Sequence, residues 1–275
     1  MVAASFTCSH DHVVIGGAFH YSTHHLRPFL ESFHWAQLHT HADGLLLVYR
    51  LRDGTRNRTR TAAAALGLRL VAPDEDYPFT SVLPSLGFQD GASQPPSECM
   101  RYVHIVAVLR AFTCYQKVLL TDTRDVYFQA DPFVAIQEAG TLYATQEQVR
   151  RDSSCCTLQG NPINRRWLEK IEPVMATPLR SRGPPLPILN SGISLGDAAA
   201  VLTYAEKMVG VLAVLNRRGV LKGGGMDQGV HNMIVWGGLV PNVKIKVLTN
   251  EEGPVFHVYT LPYPNQRLPI GLDGA

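Results

Sequence analysis

Short apolar runs alternate with amphipathic stretches along the first part of the chain, and this alternation predicts the fold. Two stretches carry helical signals, at residues 28–37 and 59–66. Pro28 suits a first helical turn, an Asp53-Gly54 turn leads towards the second stretch, and Gly67 ends it. Runs rich in aliphatic residues predict three buried strands, at residues 13–19, 45–49 and 68–71. This strand–helix order is typical of a doubly wound parallel sheet.

The rest of the chain continues with both kinds of element. Residues 72–97 are rich in Pro, Ser, Gly and Asp and predict a long surface loop, which is often functional. A segment from 146 to 187 is irregular apart from one helix, and the tail from 262 is expected to be loosely held. Further helices are predicted at 98–112, 164–171, 197–215 and from the Gly-rich segment at 223–228 to 236, with a short helix from 131. Further strands are predicted at 118–120, 141–145, 243–248 and 255–258.

Composition narrows the class of protein. The chain has 275 residues, 45% hydrophobic and 17% charged, which is ordinary for a soluble globular protein of one large or two small domains. The net charge of +2 gives no basic field for nucleic acid. No segment approaches the ~20 apolar residues of a membrane helix, and residues 1–12 lack the plan of a secretory signal. We expect no membrane segment, and a cytoplasmic location unless an N-terminal anchor has been removed.

Five cysteines form no C-x-x-C pair, and Cys155 and Cys156 are adjacent. A reducing compartment is the simpler interpretation, but the count leaves one disulfide open.

An acid pair follows the most apolar central run. Val118–Leu120 predicts a buried parallel strand, and Asp122 and Asp125 come at its carboxyl end. In open α/β sheets this edge is where ligands bind. Two acids with two residues between them can share one divalent cation. The alternative is an ordinary turn in which an Asp caps a following helix.

Two other patterns suggest sites that the sequence does not favour. His34, His39 and His41 raise the possibility of zinc, but without an H-E-x-x-H motif or a cysteine partner a solvated helix end is favoured. The run Gly223–Gly225 lacks the G-K-[ST] ending of a phosphate-binding loop.

Four motifs stand in a fixed order. They are Asp122/Asp125, Asn190-Ser191-Gly192, the Asp227-Gln228 segment running to Asn232, and Phe256-His257-Val258. In this order the sequence resembles the metal-dependent retaining glycosyltransferases of the GT-A fold, which include glycogenin-like and galactosyl- or xylosyltransferase-like enzymes. The resemblance spans about residues 13–260. The chain departs from the usual D-x-D motif, because Arg124 stands where the second acid is usual.

The resemblance implies a Mn²⁺ or Mg²⁺ ion held by Asp122, Asp125 and His257. Asp125 is expected to be a direct ligand, and Asp122 to reach the ribose or the metal. Such an ion neutralises the charge on a departing nucleoside diphosphate, and imidazole suits Mn²⁺ better than Mg²⁺. The alternative for His257 is a buried core histidine.

The resemblance also implies roles in binding the donor. Arg101 is expected to approach the nucleotide or its diphosphate, since a cation in the first turn of a helix is unfavourable unless an anion is near. The alternative is a surface Arg paired with a local acid such as Glu98. The nucleobase is expected at Ala18 and Phe19, with Phe19 or Tyr21 stacking on it or lining the pocket; plain core packing is the alternative.

The sugar side is expected at Asn190, Ser191 and Gly192, unless these form a tight turn before a helix. Asp227 is expected to bond donor-sugar hydroxyls, or else to cap its helix. Gln228 is expected at the reacting face. Whether a protein nucleophile or front-face attack operates is left open, and an inverting outcome also remains open.

The resemblance therefore predicts an α/β, GT-A, Rossmann-like protein with a mostly parallel sheet and helices on both faces. Residues 1–275 are expected to be one domain, with a nucleotide-binding half at about 13–145, an acceptor half at about 146–260 and a loose tail at 261–275. The predicted activity moves a sugar from a nucleotide-sugar, with a UDP-sugar favoured, to a hydroxyl acceptor on a glycan, protein or small molecule. The alternatives are a sugar-phosphate nucleotidyltransferase, although His20–His25 lacks its Gly-rich loop, and a non-catalytic binding module.

Overall fold

The computed structural model describes residues 8–19, 21–49, 53–73, 96–147, 157–181, 183–221, 224–249 and 252–257. The predicted loose tail at 261–275 and most of the predicted loop at 72–97 lie outside the described residues, as do Gly223 and Val258.

Seven strands form one sheet in the order β3-β2-β1-β4-β7-β6-β8, and two short strands pair separately as β5-β9. The strands are β1 (His12–Phe19), β2 (Asp43–Tyr49), β3 (Leu68–Val71), β4 (Lys117–Asp122), β5 (Val126–Phe128), β6 (Thr141–Gln146), β7 (Leu189–Asp197), β8 (Lys244–Leu248) and β9 (Val255–His257).

The pairing confirms the predicted α/β class and the mostly parallel sheet. Strands β3, β2, β1 and β4 run parallel, and so do β6 and β8. Strand β7 lies between these groups and is antiparallel to both β4 and β6. No strand was predicted at Leu189–Asp197, the residues of β7. The alternative that Asn190–Gly192 form a turn before a helix is therefore wrong, because all three residues belong to β7.

The part of the chain that the structure describes contains six α-helices, and their positions confirm most of the predicted helices. They are α1 (Thr23–Trp35), α2 (Asp53–Ala65), α3 (Ser97–Ala111), α4 (Pro162–Met175), α5 (Ala198–Arg217) and α6 (Met226–Trp236), with short 3₁₀ helices at Leu38–Thr40 and Pro132–Ala135.

Two predicted helix starts are wrong, since both helices begin earlier. Helix α1 starts at Thr23, so that Pro28 is inside the helix and not in its first turn. The backbone N–H of Ser22 donates to Nδ1 of His25, which satisfies a donor at the helix entry. Helix α2 already contains Asp53 and Gly54, which were expected to form a turn before it.

Helices cover both faces because successive strand residues point to opposite sides and both sides are apolar. Val13 and Ile15 of β1 pack in a core with α3, α5 and α6. Val14, between them, packs in a second core with α1. The predicted placement of helices on both faces is confirmed.

Among the described residues one helix, α5, is long and apolar enough by composition to cross a membrane, contrary to the expectation that no segment approaches that length. More than half of its apolar window is buried inside the protein. Tyr204, Met208 and Leu212 of this helix are fully buried in the core beside α3 and α6. This burial accounts for the apolar composition of α5 without a lipid environment.

Cys8 and Cys114 form a disulfide, which is the alternative that the cysteine count left open. The bond ties the chain before β1 to the segment between α3 and β4. Cys99 is a buried free thiol, and Cys155 and Cys156 lie outside the described residues.

Candidate functional site

One edge of the sheet collects most of the predicted site residues. Strands β1 and β4 are parallel and end there, with Gly17 opposite Asp122. Strand β7 runs the other way, with Ile193 opposite Thr121, so its first residues lie beside the end of β4. Antiparallel pairing thus brings the Asn190–Gly192 segment to the acids that follow β4.

Arg101 lies at the centre of this edge. Its side chain is only 6% exposed and extends from α3 between two carboxylates. Nη1 is bonded to Oδ1 of Asp122, and Nη2 donates to Oδ2 of Asp227 at 2.7 Å. Nη2 also donates to the carbonyl oxygen of Ser191 at 3.2 Å. The partners of Arg101 are thus remote acids, whereas the alternative of a surface Arg paired with Glu98 does not describe it.

Asp227 is buried in the first turn of α6. Gly225 occupies the N-cap position with a φ of 80°, so Asp227 is not the cap that the sequence left open. Besides Arg101, its Oδ2 accepts a hydrogen bond from Oγ of Ser191 at 3.2 Å. Burial raises the pKa of Asp227 and Arg101 opposes this shift, while the charge of Asp122 reinforces it.

Gly192 allows the Asp122 carboxylate to lie against β7. A Cβ atom at this position would overlap the Asp122 carboxylate and would lie 2.8 Å from Oδ1 of Asn190. That Asn190 oxygen accepts from the backbone N–H of Gly192 at 2.6 Å. The three residues therefore form a close-fitting wall in which the Ser191 side chain bonds to Arg101 and Asp227, while the Asn190 side chain bonds to the backbone of Gly192.

Asp125 and His257 form a second polar pair. Strand β9 pairs with β5 so that His257 is opposite Val126, the residue after Asp125. Nε2 of His257 lies 3.4 Å from Oδ2 of Asp125. Burial favours the neutral form of each group, but the contact outweighs it: the pKa of Asp125 is lowered and the pKa of His257 is raised.

The Asp125–His257 pair fits a divalent cation better than the full predicted triad does. Two ligands about 2.1 Å from one ion, at a right angle, lie about 3 Å apart, close to the observed separation. Asp122 is instead bonded to Arg101. Across the described part of the chain, no three His, Cys, Asp or Glu side chains converge closely enough to hold a metal. Asp125 and His257 are therefore the two members of the predicted set that lie close enough together to share one ion.

Aromatic side chains extend the same edge beyond β1. Phe19 stacks on Tyr49 with 5.1 Å between ring centroids, and the Arg101 guanidinium lies 5.7 Å from the Phe19 ring. Tyr21 lies edge-on to Phe19, and burial together with the charges of Asp122 and Asp125 raises its pKa to about 12. The side chain of Ala18 is fully buried in the core beside α1, so only its backbone is left for a ligand.

Arg124 does not substitute for the missing acid of a D-x-D motif. Its side chain is exposed, and its guanidinium lies 5.9 Å from the Tyr21 ring. The neighbouring Thr123 is buried and donates to the carbonyl oxygen of Gly17 at 2.8 Å. Residue 123 therefore ties the acid loop to β1 while Arg124 points outwards.

Gln228 lies next to Glu147, a carboxylate that was not among the predicted site residues. Its Nε2 donates to Oε2 of Glu147 at 3.2 Å and to Oδ1 of Asn164 at 3.4 Å. Burial raises the pKa of Glu147, although His257 and Gln228 oppose this. Glu147 directly follows β6, as Asp122 ends β4, so an acid at a predicted strand end was the signal available. Asn164 carried no comparable signal.

A cavity of about 430 Å³ lies at the other end of the sheet, where the parallel strands β2 and β3 begin. Its lining includes His10, Asp43 and Arg69 at the starting ends of the parallel strands, and it contains none of the predicted site residues. The His34 and His39 rings stack 4.3 Å apart near the end of α1 without a metal-binding group around them in the described structure.

No known protein family matches the sequence, and no curated protein matches it. Among solved structures, the chain is similar to a crystal structure of the galactosyltransferase LgtC in complex with donor and acceptor sugar analogues, with 14% identity and a TM-score of 0.48 over 85% of this chain and 72% of that one. It is also similar to a crystal structure of an active-site mutant of LgtC, with 13% identity and a TM-score of 0.46 over the same shares. At this identity, the likeness carries no information about the roles of individual residues.

Proposed function

We propose that the chain is a glycosyltransferase of the GT-A fold that moves a sugar from a nucleoside diphosphate sugar to a hydroxyl acceptor, with a UDP-sugar as the favoured donor and a hexose or pentose as the sugar transferred. The observation that carries the proposal is the buried contact of Arg101 with Asp122 and Asp227 at the ligand-binding edge of the sheet. These three residues come from α3, β4 and α6.

The charge arrangement supports a ligand with both anionic and hydroxyl groups. Arg101 is a fixed cation that carboxylates hold in place, and a planar guanidinium suits diphosphate oxygens. Asp227, Asn190 and Ser191 offer oxygens and an amide for sugar hydroxyls. The ring centroids of Phe19 and Tyr21 lie 6.4 Å apart, and the two rings offer aromatic surface for a base. The three kinds of group match the three parts of a nucleotide sugar.

Asp125 and His257 are the residues that would hold a Mn²⁺ or Mg²⁺ ion, with Asp122 turned towards the ribose side by Arg101. When bound, such an ion neutralises negative charge on the diphosphate leaving group. An imidazole in the ligand set favours Mn²⁺. The preference for retention of configuration rests on the resemblance of the Asp227-Gln228 segment.

The first experiment measures UDP release from a panel of UDP-sugars with Mn²⁺, with Mg²⁺ and after treatment with EDTA. We expect slow hydrolysis of at least one donor in the presence of metal and loss of this activity with EDTA. A requirement for a nucleoside triphosphate and a sugar phosphate would instead identify a nucleotidyltransferase. Binding of UDP that raises the melting temperature without any turnover would identify a binding module.

A further inference from the structure

The side-chain amide of Gln228 is held in one orientation by a chain of hydrogen bonds that begins at a helix end. Asn161 caps α4, and its Oδ1 accepts from the backbone N–H groups of Ile163 and Asn164, both at 3.0 Å. Because backbone N–H groups only donate, the Asn161 atom that faces them must be the oxygen.

The orientation of the Asn161 amide determines the orientation of the Asn164 amide. Nδ2 of Asn164 donates to the same Asn161 oxygen at 3.3 Å, so Oδ1 of Asn164 is the atom left to face Gln228. Asn164 is buried, with 3% of its surface exposed, and a reversed amide would place two oxygens against each other. The Asn164 amide is therefore an acceptor towards α6.

Glu147 favours the same orientation of the Gln228 amide. An ionised carboxylate only accepts hydrogen bonds, so it selects the Nε2 group of Gln228 and repels its oxygen. With Glu147 and Asn164 both bonded to Nε2, the Oε1 atom lies on the opposite side of the amide. Two acceptors, one directly after β6 and one in α4, thus exclude the flipped amide.

The backbone of Gln228 is held as well. Asn232, one turn later in α6, donates from Nδ2 to the carbonyl oxygen of Gln228 at 2.9 Å. The same amide exchanges two hydrogen bonds of 2.8 Å with the backbone of Leu189 at the start of β7. The turn of α6 that carries Gln228 is therefore fastened to the strand that carries Asn190–Gly192.

We propose that Glu147 and Asn164 are positioning residues that present Oε1 of Gln228 to the reacting sugar as a fixed hydrogen-bond acceptor. This inference rests on the proposed glycosyl transfer. A carbonyl dipole oriented before the substrate binds stabilises positive charge that develops at an anomeric carbon without reorganising during the reaction. Neither residue touches the sugar in this proposal, since both act through Gln228.

The test compares Glu147→Ala, Glu147→Gln and Asn164→Ala with wild type and with Lys170→Ala, an exposed control on α4. With the best UDP-sugar from the donor panel, we expect kcat to fall about 10- to 100-fold in the two alanine variants while the donor KM changes less than about threefold, as is usual when a supporting residue is lost. Glu147→Gln retains an oxygen that accepts from Nε2, so its kcat should stay within about threefold of wild type. Lys170→Ala should match wild type.

A second measurement does not depend on turnover. In ¹H–¹⁵N spectra, the side-chain NH₂ pair of Gln228 is identified by its absence in Gln228→Glu. We expect the two NH₂ protons to exchange slowly with solvent in wild type. In Glu147→Ala and Asn164→Ala, their chemical shifts should change and their exchange with solvent should be faster. Unchanged NH₂ signals in both alanine variants would overturn the orientation chain, even if no UDP-sugar is turned over.

The kinetic outcomes separate positioning from other roles. A Glu147→Gln variant as slow as Glu147→Ala, with the Gln228 NH₂ signals of wild type, would show that the charge of Glu147 is needed, and the positioning role would be rejected. Unchanged kcat in both alanine variants would reject it too. Absence of turnover in wild type with every donor would contradict the proposed function, and the NH₂ signals would still decide whether Gln228 is held.

Discussion

The Arg101 guanidinium donates a 2.7 Å hydrogen bond to Asp227, and the two side chains are each only 6% exposed. The same guanidinium is bonded to Asp122, whose side chain is 31% exposed. One buried cation therefore holds together an acid at the end of β4 and an acid in the first turn of α6. The attraction of Asp122 and Asp227 keeps the pKa of Arg101 well above its ordinary value despite burial, which would lower it.

Removing this cation should cost stability as well as donor binding. Arg101→Met leaves two carboxylates near each other without a cation, and breaking a buried ion pair from one side costs about 3–5 kcal/mol. Adding Asp227→Asn to Arg101→Met should recover part of this loss of stability, because the side chain buried at position 227 is then neutral. Urea unfolding of wild type, both single variants and the double variant measures the coupling. Equal stability of Arg101→Met and wild type would contradict a structural role for the contact.

The Asp125–His257 pair gives a prediction about metal dependence. Asp125→Ala should lose all stimulation of UDP release by Mn²⁺ while the protein remains folded. His257→Ala should weaken stimulation by Mn²⁺ more than stimulation by Mg²⁺, because imidazole is a better ligand for Mn²⁺ than for Mg²⁺. Titration of turnover with each metal measures both effects, and Glu206→Gln, a surface change on α5, is the matched control. Normal stimulation of Asp125→Ala by Mn²⁺ would remove Asp125 from the ligand set.

The sequence identified those parts of the site that follow local rules. Asp122 and Asp125 were located because an apolar run predicts a buried strand and the acids come directly after it. No strand was predicted at Asn190–Gly192, because the antiparallel position of β7 depends on pairing with β4, which is distant in the chain. Glu147 does follow a predicted strand, but its contact with Gln228 joins the segment after β6 to α6, and local pattern contains no information about that pairing.

Gly192 tests how closely β7 must approach the Asp122 carboxylate. In Gly192→Ala, the new methyl group overlaps that carboxylate, so Asp122 must move and its bond to Arg101 is disturbed. We expect donor affinity to fall about tenfold or more, which corresponds to about 1.4 kcal/mol. The control is Gly210→Ala on α5, where a methyl group meets nothing within 4 Å.

The control should behave in the opposite way. Alanine in a helix is more favourable than glycine by about 0.5–1 kcal/mol, so Gly210→Ala should be slightly more stable than wild type and equally active. Calorimetric titration with UDP in the presence of Mn²⁺ compares the two variants. Wild-type affinity in Gly192→Ala would show that the Asp122 position is not needed for the nucleotide.

His104 on α3 makes stability depend on pH. Burial lowers its pKa from 6.5 to about 4, and its Nδ1 lies 2.6 Å from the Tyr49 hydroxyl in the core. The unfolded chain therefore binds a proton at a higher pH than the folded chain does, so the neutral histidine contributes stability above pH 6.5 that is lost as pH falls towards 4. A difference of 2.5 pKa units corresponds to about 3 kcal/mol.

His104→Gln should show a flatter decline of the unfolding free energy between pH 6.5 and 4.5, measured by urea unfolding at several pH values. Part of the decline should remain, because burial also lowers the pKa of His231 to about 3. Parallel declines in wild type and His104→Gln would mean that His104 is not the group that titrates on unfolding.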